Sequence, residues 1–196
     1  MIKLADEKQA QVKRATRAAF GATLAELAAE GAPVVAVDAD LTGSTTTKKL
    51  ADAGYPDRLF NCGIAEQNMV DVAAGLAVTG HVAFTGSFAV FGTGRAYDQI
   101  RNTVSLMRGL PNMRVLVPAD YAAACAAIRL AAATPGPLYV RMGRAGVPAV
   151  YADDVELELG RAYVLREGAD VTIVACGVEV EQALKAAEAL AAEGIE

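Results

Sequence analysis

The chain has 196 residues, 54% hydrophobic and 21% charged, with a net charge of −5. That balance suits a folded globular protein of one full domain and part of another, and it excludes a disordered chain. The mildly acidic charge argues against a nucleic-acid partner, and no apolar run is long enough to span a membrane. The polar start, MIKLADEKQAQ, does not read as a signal peptide. Cys62, Cys125 and Cys176 show neither metal nor disulfide spacing. They read as buried thiols of a reducing compartment, so the expected location is the cytoplasm.

In chain order, Val12, Ala15, Ala19, Leu24, Leu27 and Ala28 recur at helical spacing and predict one helix over residues 8–30, capped by Gly31. Residues 34–37 are a short, wholly apolar strand of the kind buried on both faces. The polar loop DADLTGSTTT, residues 38–47, follows at that strand's C-terminal end, where ligands of open α/β sheets gather. A short helix near 48–53, a strand near 58–61, a helix over 66–79, a strand over 82–84 and a helix over 94–106 come next. Residues 113–117 form a strand, and Asp120 is placed to cap the alanine-rich helix after it. Residues 138–141 form another strand. The stretch 146–160, with Pro148 and DDVELE, reads as a linker. A strand over 170–176 and an amphipathic helix over 179–193 close the chain.

The alternation of strand and helix gives an α/β fold, a mostly parallel sheet with helices on both faces. A last strand–helix unit cannot bury its own apolar face. The expected organisation is therefore one domain over residues 1–150, then a linker and the truncated beginning of a second domain over 151–196.

Residues 60–95, FNCGIAEQNMVDVAAGLAVTGHVAFTGSFAVFGTGR, concentrate the chemistry. Glu66 sits in the first turn of a helix, where the dipole favours an acid. On the residues alone, helix-start acid and site carboxylate are equally open. Phe88 and Phe91, flanked by glycines, read by themselves more readily as core than as pocket. The single histidine, His81, beside Gly80 at a strand start, reads as a partly exposed imidazole rather than a catalytic group. Arg95 and Asp98 in RAYDQIRN read as an internal salt bridge or helix cap as readily as site residues. No glycine fingerprint follows the first strand, which disfavours a Rossmann dinucleotide site.

GIAEQNM, followed by AAGLA and SFAVFGTGRAYDQIRN, closely resembles the pyrimidine-binding domain of transketolases. The likeness is greatest to the C-terminal subunit of transketolases split over two polypeptides. It extends from about Arg14 to the end, where GADVTIVACGVEVEQALKAAEAL resembles the opening of the family's C-terminal domain. The resemblance implies transfer of a two-carbon ketol unit from a ketose phosphate to an aldose phosphate, with thiamine diphosphate as cofactor. Glu66 matches the glutamate that binds N1′ of the aminopyrimidine. Phe88 and Phe91 match the phenylalanines packed on that ring, and Ile64 belongs to the same cofactor pocket. In single-chain transketolases a third aromatic often lies a turn later; Gly94 stands near that point here. Asp40-Leu41-Thr42-Gly43-Ser44 resembles the family's ADLTxS motif, which places Asp40 near the cofactor and Ser44 at a substrate phosphate. Arg17 and Arg144 match the arginines that hold the sugar phosphate, a task suited to a planar guanidinium fork. Without the resemblance, the loop is an Asx or Ser turn and Arg17 a solvated helix residue.

Two family parts are absent. No Gly-Asp-Gly…Asn metal motif occurs, so the ligands of Mg²⁺ and the diphosphate are expected on an N-terminal, pyrophosphate-binding partner subunit. The chain would homodimerise within an α2β2 assembly, with no nucleic acid and no membrane as partner. Between Val104 and Ser105 the family carries a strand, HAG and GEDG motifs and a His-Gln pair that read the sugar hydroxyls. Removing a strand from within a sheet strands its neighbours' backbone groups. A break between Val104 and Ser105 is therefore expected. The nearest alternatives are a deoxyxylulose-phosphate synthase, a 2-oxoacid dehydrogenase beta subunit and a non-catalytic partner subunit. IAEQNM together with DLTGS fits transketolase better than either enzyme. The intact Glu66 and phenylalanines oppose the non-catalytic reading, and the missing segment favours it.

Overall fold

The computed structural model describes residues 2–96 and 113–196. Its elements are α1 (Glu7–Gln11), β1 (Lys13–Ala15), α2 (Arg17–Ala29), β2 (Val34–Asp38), α3 (Thr42–Thr45), α4 (Lys48–Asp52), β3 (Leu59–Asn61), α5 (Glu66–Val78), β4 (Val82–Gly86) and α6 (Ala89–Arg95). They continue with β5 (Arg114–Leu116), α7 (Tyr121–Ala133), β6 (Leu138–Val140), β7 (Gly146–Pro148) and α8 (Glu179–Ala192). The result is the expected mixed α/β fold. The chain divides into two compact units, one of Met1–Ala19, Val117–Leu130 and Val140–Glu196, the other of Phe20–Leu116 and Ala131–Tyr139. No described helix is long and apolar enough to cross a membrane.

The second unit is built on a parallel sheet in the order β3-β2-β4. The apolar run of β2 lies at its centre with every residue buried, as a strand covered on both faces requires. Asp38 pairs in register with Asn61 on one side and Gly86 on the other, so three strands end at one edge. Met69, Val70 and Ala73 of α5 pack with Val37, Ala39 and Ala96. Phe20 of α2 meets Phe84 edge-on at 6.0 Å. Gly21 allows α2 to come this close, because a Cβ there would lie 1.8 Å from the Thr46 carbonyl oxygen. β5 pairs with β6 in a separate ribbon.

In the first unit β1 and β7 pair antiparallel, Lys13 opposite Pro148 and Ala15 opposite Gly146. Its core joins Ala119, Ala122 and Ala123 with Val150, Tyr151, Val155 and Val180. Asp120 is fully buried and caps α7 as expected: Oδ1 accepts from the Ala123 amide at 2.8 Å. Oδ2 also accepts the Val150 and Tyr151 amides at 2.6 and 2.8 Å, which ties that segment to the helix start.

Several expectations are corrected. The single helix over residues 8–30 is broken into α1, β1 and α2. The apolar spacing at Val12 and Ala15 is real, but ladder bonds to the distant β7 outweigh it. The stretch taken as a linker contains β7. No strand forms over residues 170–176, where Val171 and Ile173 are exposed and Val174 is 90% exposed. The amides of Ala169, Asp170 and Val171 turn instead to the Glu196 carbonyl, and the Gly177 amide reaches the Val117 carbonyl. A strand needs a ladder partner, and the described residues offer none there. Cys176 is exposed rather than buried, and Cys62 and Cys125 are half-buried; all three are free. α6 begins earlier than the helix expected from residue 94. The rest of that helix, Asp98 and the Val104–Ser105 junction lie outside the described residues.

Asp120→Ala should leave three amides without their acceptor and cost about 3 kcal/mol or more, read as a lower urea midpoint. Burial, then the charges of Asp120 and Tyr163, raise the Tyr151 phenol above its ordinary value. A raised folded value means stability is intact below the unfolded phenol value and is lost as pH rises through the folded one. The urea midpoint should therefore fall more steeply above about pH 10 in the wild type than in Tyr151→Phe.

Candidate functional site

The loop after β2 is knotted around Asp38. Its Oδ1 accepts from the Leu41 amide at 2.6 Å, and its Oδ2 accepts from the Thr45 and Thr47 hydroxyls at 2.6 and 2.9 Å. This buried carboxylate winds DLTGS into α3 and holds two non-glycine residues, Asp40 (φ 61°) and Thr46 (φ 68°), in the left-handed region. Such conformations cost about 1–3 kcal/mol each and persist only where the surroundings over-determine them. Ser44 is half-buried within α3, and Asp40 is exposed. Asp38→Ala should cost about 2–4 kcal/mol by orphaning the Leu41 amide and leaving the Thr45 and Thr47 hydroxyls only each other and the Leu41 carbonyl. Hydrogen exchange over residues 41–47 should accelerate while the middle of α5 stays protected; equal protection in both proteins would show that the knot does not hold the loop.

The turn after β3 meets that loop through Asn61, whose Oδ1 accepts from the Asp40 amide at 3.1 Å and the Gly63 amide at 3.0 Å. Gly63 takes φ 69°, a turn that lifts the chain to the exposed Ile64 and then into α5. Glu66 is the first residue of α5 and only 3% exposed. Its Oε1 accepts from Nη1 of Arg95 at 2.8 Å, while among the described residues Oε2 accepts no hydrogen bond. Residues Ile64, Ala65, Glu66, Gln67, Asn68 and Arg95 line an open recess of about 590 Å³. Burial, then the nearby charge of Asp38, pushes the Cys62 thiol up and so keeps it unreactive beside the loop.

After β4, Phe88 precedes α6 and is 39% exposed, with Phe91 half-buried at a ring separation of 5.7 Å. The pair is therefore not a core contact. The Arg95 guanidinium lies 4.2 Å over Phe91, so one arginine joins the ring to the Glu66 carboxylate. Among the described residues the buried Ser87 Oγ, at the same strand end, has no hydrogen-bond partner.

Arg17 and Arg144 belong to the first unit. The Arg17 amide donates to the Gly143 carbonyl at 3.2 Å, and buried Thr16 accepts from the Gly143 amide at 2.6 Å. The two arginines thus leave from neighbouring backbone, Arg17 half-buried and Arg144 exposed. Within the second unit the structure brings Asp40 to the Ile64 turn, and Glu66 to Phe91 and Phe88. Asp38, Asn61 and Thr16 were not singled out from sequence. Only Asp38 carried a signal, in the threonines seven and nine residues after it.

The groups fit a flat heteroaromatic ring bearing an N–H: a carboxylate in the lining of a recess with one oxygen unbonded among the described residues, and two half-exposed phenyl rings nearby. Among the described residues no group of three or more His, Cys, Asp or Glu side chains could hold a metal ion.

Comparison with known proteins points to one family. The family model for the transketolase pyrimidine binding domain matches residues 12–109, and that for the transketolase C-terminal domain matches residues 160–196. A protein of Methanocaldococcus jannaschii, named as the C-terminal section of a transketolase, is 38% identical over 96% of this chain and 70% of its own length. That alignment runs over 221 positions, more than the 196 residues here, so the relative carries residues without counterpart in this chain. A 6-deoxy-6-sulfo-D-fructose transketolase subunit of a Clostridium strain is 36% identical over 88% of this chain and 63% of its own. Among solved structures, a split-gene transketolase described as an inactive β4 tetramer superposes with a TM-score of 0.87 at 46% identity, covering 93% of this chain and 69% of that one. The chain belongs to the transketolase family, as a C-terminal subunit of the split type.

Proposed function

We propose that this chain forms an active transketolase with an N-terminal, pyrophosphate-binding subunit, moving a two-carbon ketol unit between ketose and aldose phosphates. Residues 1–150 act as the pyrimidine-binding domain and residues 151–196 as the linker and start of the C-terminal domain. Thiamine diphosphate is the cofactor, with Mg²⁺ and the diphosphate held by the partner in an α2β2 assembly. The free thiols suit a reducing, cytoplasmic setting. The observation that carries the reading is Glu66, a buried carboxylate at a helix start with one oxygen tied and the other open to a recess.

Bound thiamine diphosphate supplies a nucleophilic carbon that can take up and pass on the ketol unit. The chain's residues prepare the site for it. Glu66 Oε2 accepts a hydrogen bond from a pyrimidine ring nitrogen and holds a proton there, and burial strengthens that bond. Phe88 and Phe91 wall the ring and exclude water, worth about 0.5–1.5 kcal/mol per aromatic contact beyond burial. Ile64 covers the pocket, and Asp40 faces it from the strained loop. Ser44, Arg17 and Arg144 bind the substrate's phosphate.

Reconstituted with the partner subunit, thiamine diphosphate and Mg²⁺, Glu66→Gln should lower kcat about a hundredfold or more, with an unchanged circular dichroism spectrum. Near-normal ketol transfer by that variant would remove Glu66 from the mechanism.

A further inference from the structure

We propose that Arg95 is a positioning residue that sets the orientation of the Glu66 carboxylate; the inference rests on the function proposed above. Three observations carry it. Arg95 Nη1 donates to Oε1 of Glu66 at 2.8 Å, and Oε2 accepts nothing among the described residues. The guanidinium carbon lies 4.2 Å over the Phe91 ring, which in turn is 5.7 Å from Phe88. The arginine side chain is half-exposed, whereas the glutamate side chain is buried.

The terminal torsion of a glutamate is broad, so a carboxylate anchored only through its stem samples many orientations. One charge-assisted bond to a single oxygen removes that freedom and leaves the other oxygen as a directed acceptor. The stack on Phe91 fixes the plane of the guanidinium, and that plane fixes where Nη1 points. Phe91 therefore acts on Glu66 through Arg95. A lysine could reach the carboxylate but has no plane to register on the ring. Because Arg95 is half in solvent, truncating it opens Glu66 to water, which replaces the guanidinium, so the ion pair adds little to folding. Its effect belongs to ligand binding and turnover.

The test uses the assembled enzyme. Wild type, Arg95→Ala, Arg95→Lys, Glu66→Gln and the Arg95→Ala/Glu66→Gln double variant are titrated calorimetrically with thiamine diphosphate and Mg²⁺. Their melting and ketol transfer are measured alongside. Arg95→Ala should melt close to wild type, bind the cofactor about tenfold more weakly and lose about tenfold or more in kcat, with the sugar KM unchanged. Arg95→Lys should recover part of both losses. The double variant should be no worse than Glu66→Gln alone, because the arginine acts through the glutamate. Unchanged affinity and kcat in Arg95→Ala would overturn the proposal. Tighter cofactor binding would overturn it too, by making the guanidinium an occupant of the ring's place. Additive losses in the double variant would likewise refute action through Glu66. A wild-type assembly that binds no thiamine diphosphate would sink the proposed function and this role together, whereas a binding wild type matched by Arg95→Ala sinks only this role.

Discussion

The parallel register of β3, β2 and β4 is the constraint on which the candidate site depends. Asp38 stands level with Asn61 and Gly86, so three chain segments leave the sheet at one edge. Asp40 follows the first strand end, Ile64 and Glu66 the second, Phe88 and Phe91 the third. Parallel strands leave such an edge open to ligands at their C-terminal ends. What shapes the edge here is side-chain hydrogen bonding more than apolar packing. Asp38 organises its own loop, and Asn61 binds that loop to the next turn. Both are short polar side chains within reach of backbone amides, which can impose a turn where no ladder exists.

Burying the Glu66 carboxylate is the energetic problem the site must solve. An unpaired buried charge is costly, and the start of α5 offers only a dipole and no side-chain cap. Arg95 supplies the counter-charge from the end of α6, where a cation is itself favoured by that helix. The pairing is monodentate, so the carboxylate is partly compensated and partly available. Full bidentate pairing would be more stable and would engage both oxygens, leaving less acceptor capacity for a ligand.

Much of this was legible in the sequence, for identifiable reasons. The apolar run of β2 could only be a strand covered on both faces, and Asp120 lay where a cap for α7 was needed. β1 was hidden, because its partner lies at Gly146–Pro148 and no local pattern reports a pairing over that distance. The apolar stretch 170–176 misled in the opposite sense: composition favours a strand, but pairing decides whether one forms. In the site, Glu66 and Phe88 could not be assigned from periodicity, since a first-turn acid and a core aromatic have the same local signature. Arg95 was open between an internal salt bridge and a site role. The structure makes the salt bridge with Glu66, the carboxylate of the candidate site, so the two alternatives do not exclude each other.

The departure at Gly94 fits the same logic. The resemblance places a third aromatic a turn after Phe91, and a glycine stands there instead. A ring at that position would add apolar area and nothing polar. The next residue, Arg95, lays a flat cation on Phe91 and keeps its edge for Glu66. Stacking by a guanidinium preserves a planar contact on the ring while adding a donor that an aromatic lacks. The open position and the arginine brace are thus adjacent in one short helix. A smaller residue at 94 also leaves that part of α6 open, since a Cβ there would meet nothing within 4 Å. In this chain one flat cation couples ring and carboxylate.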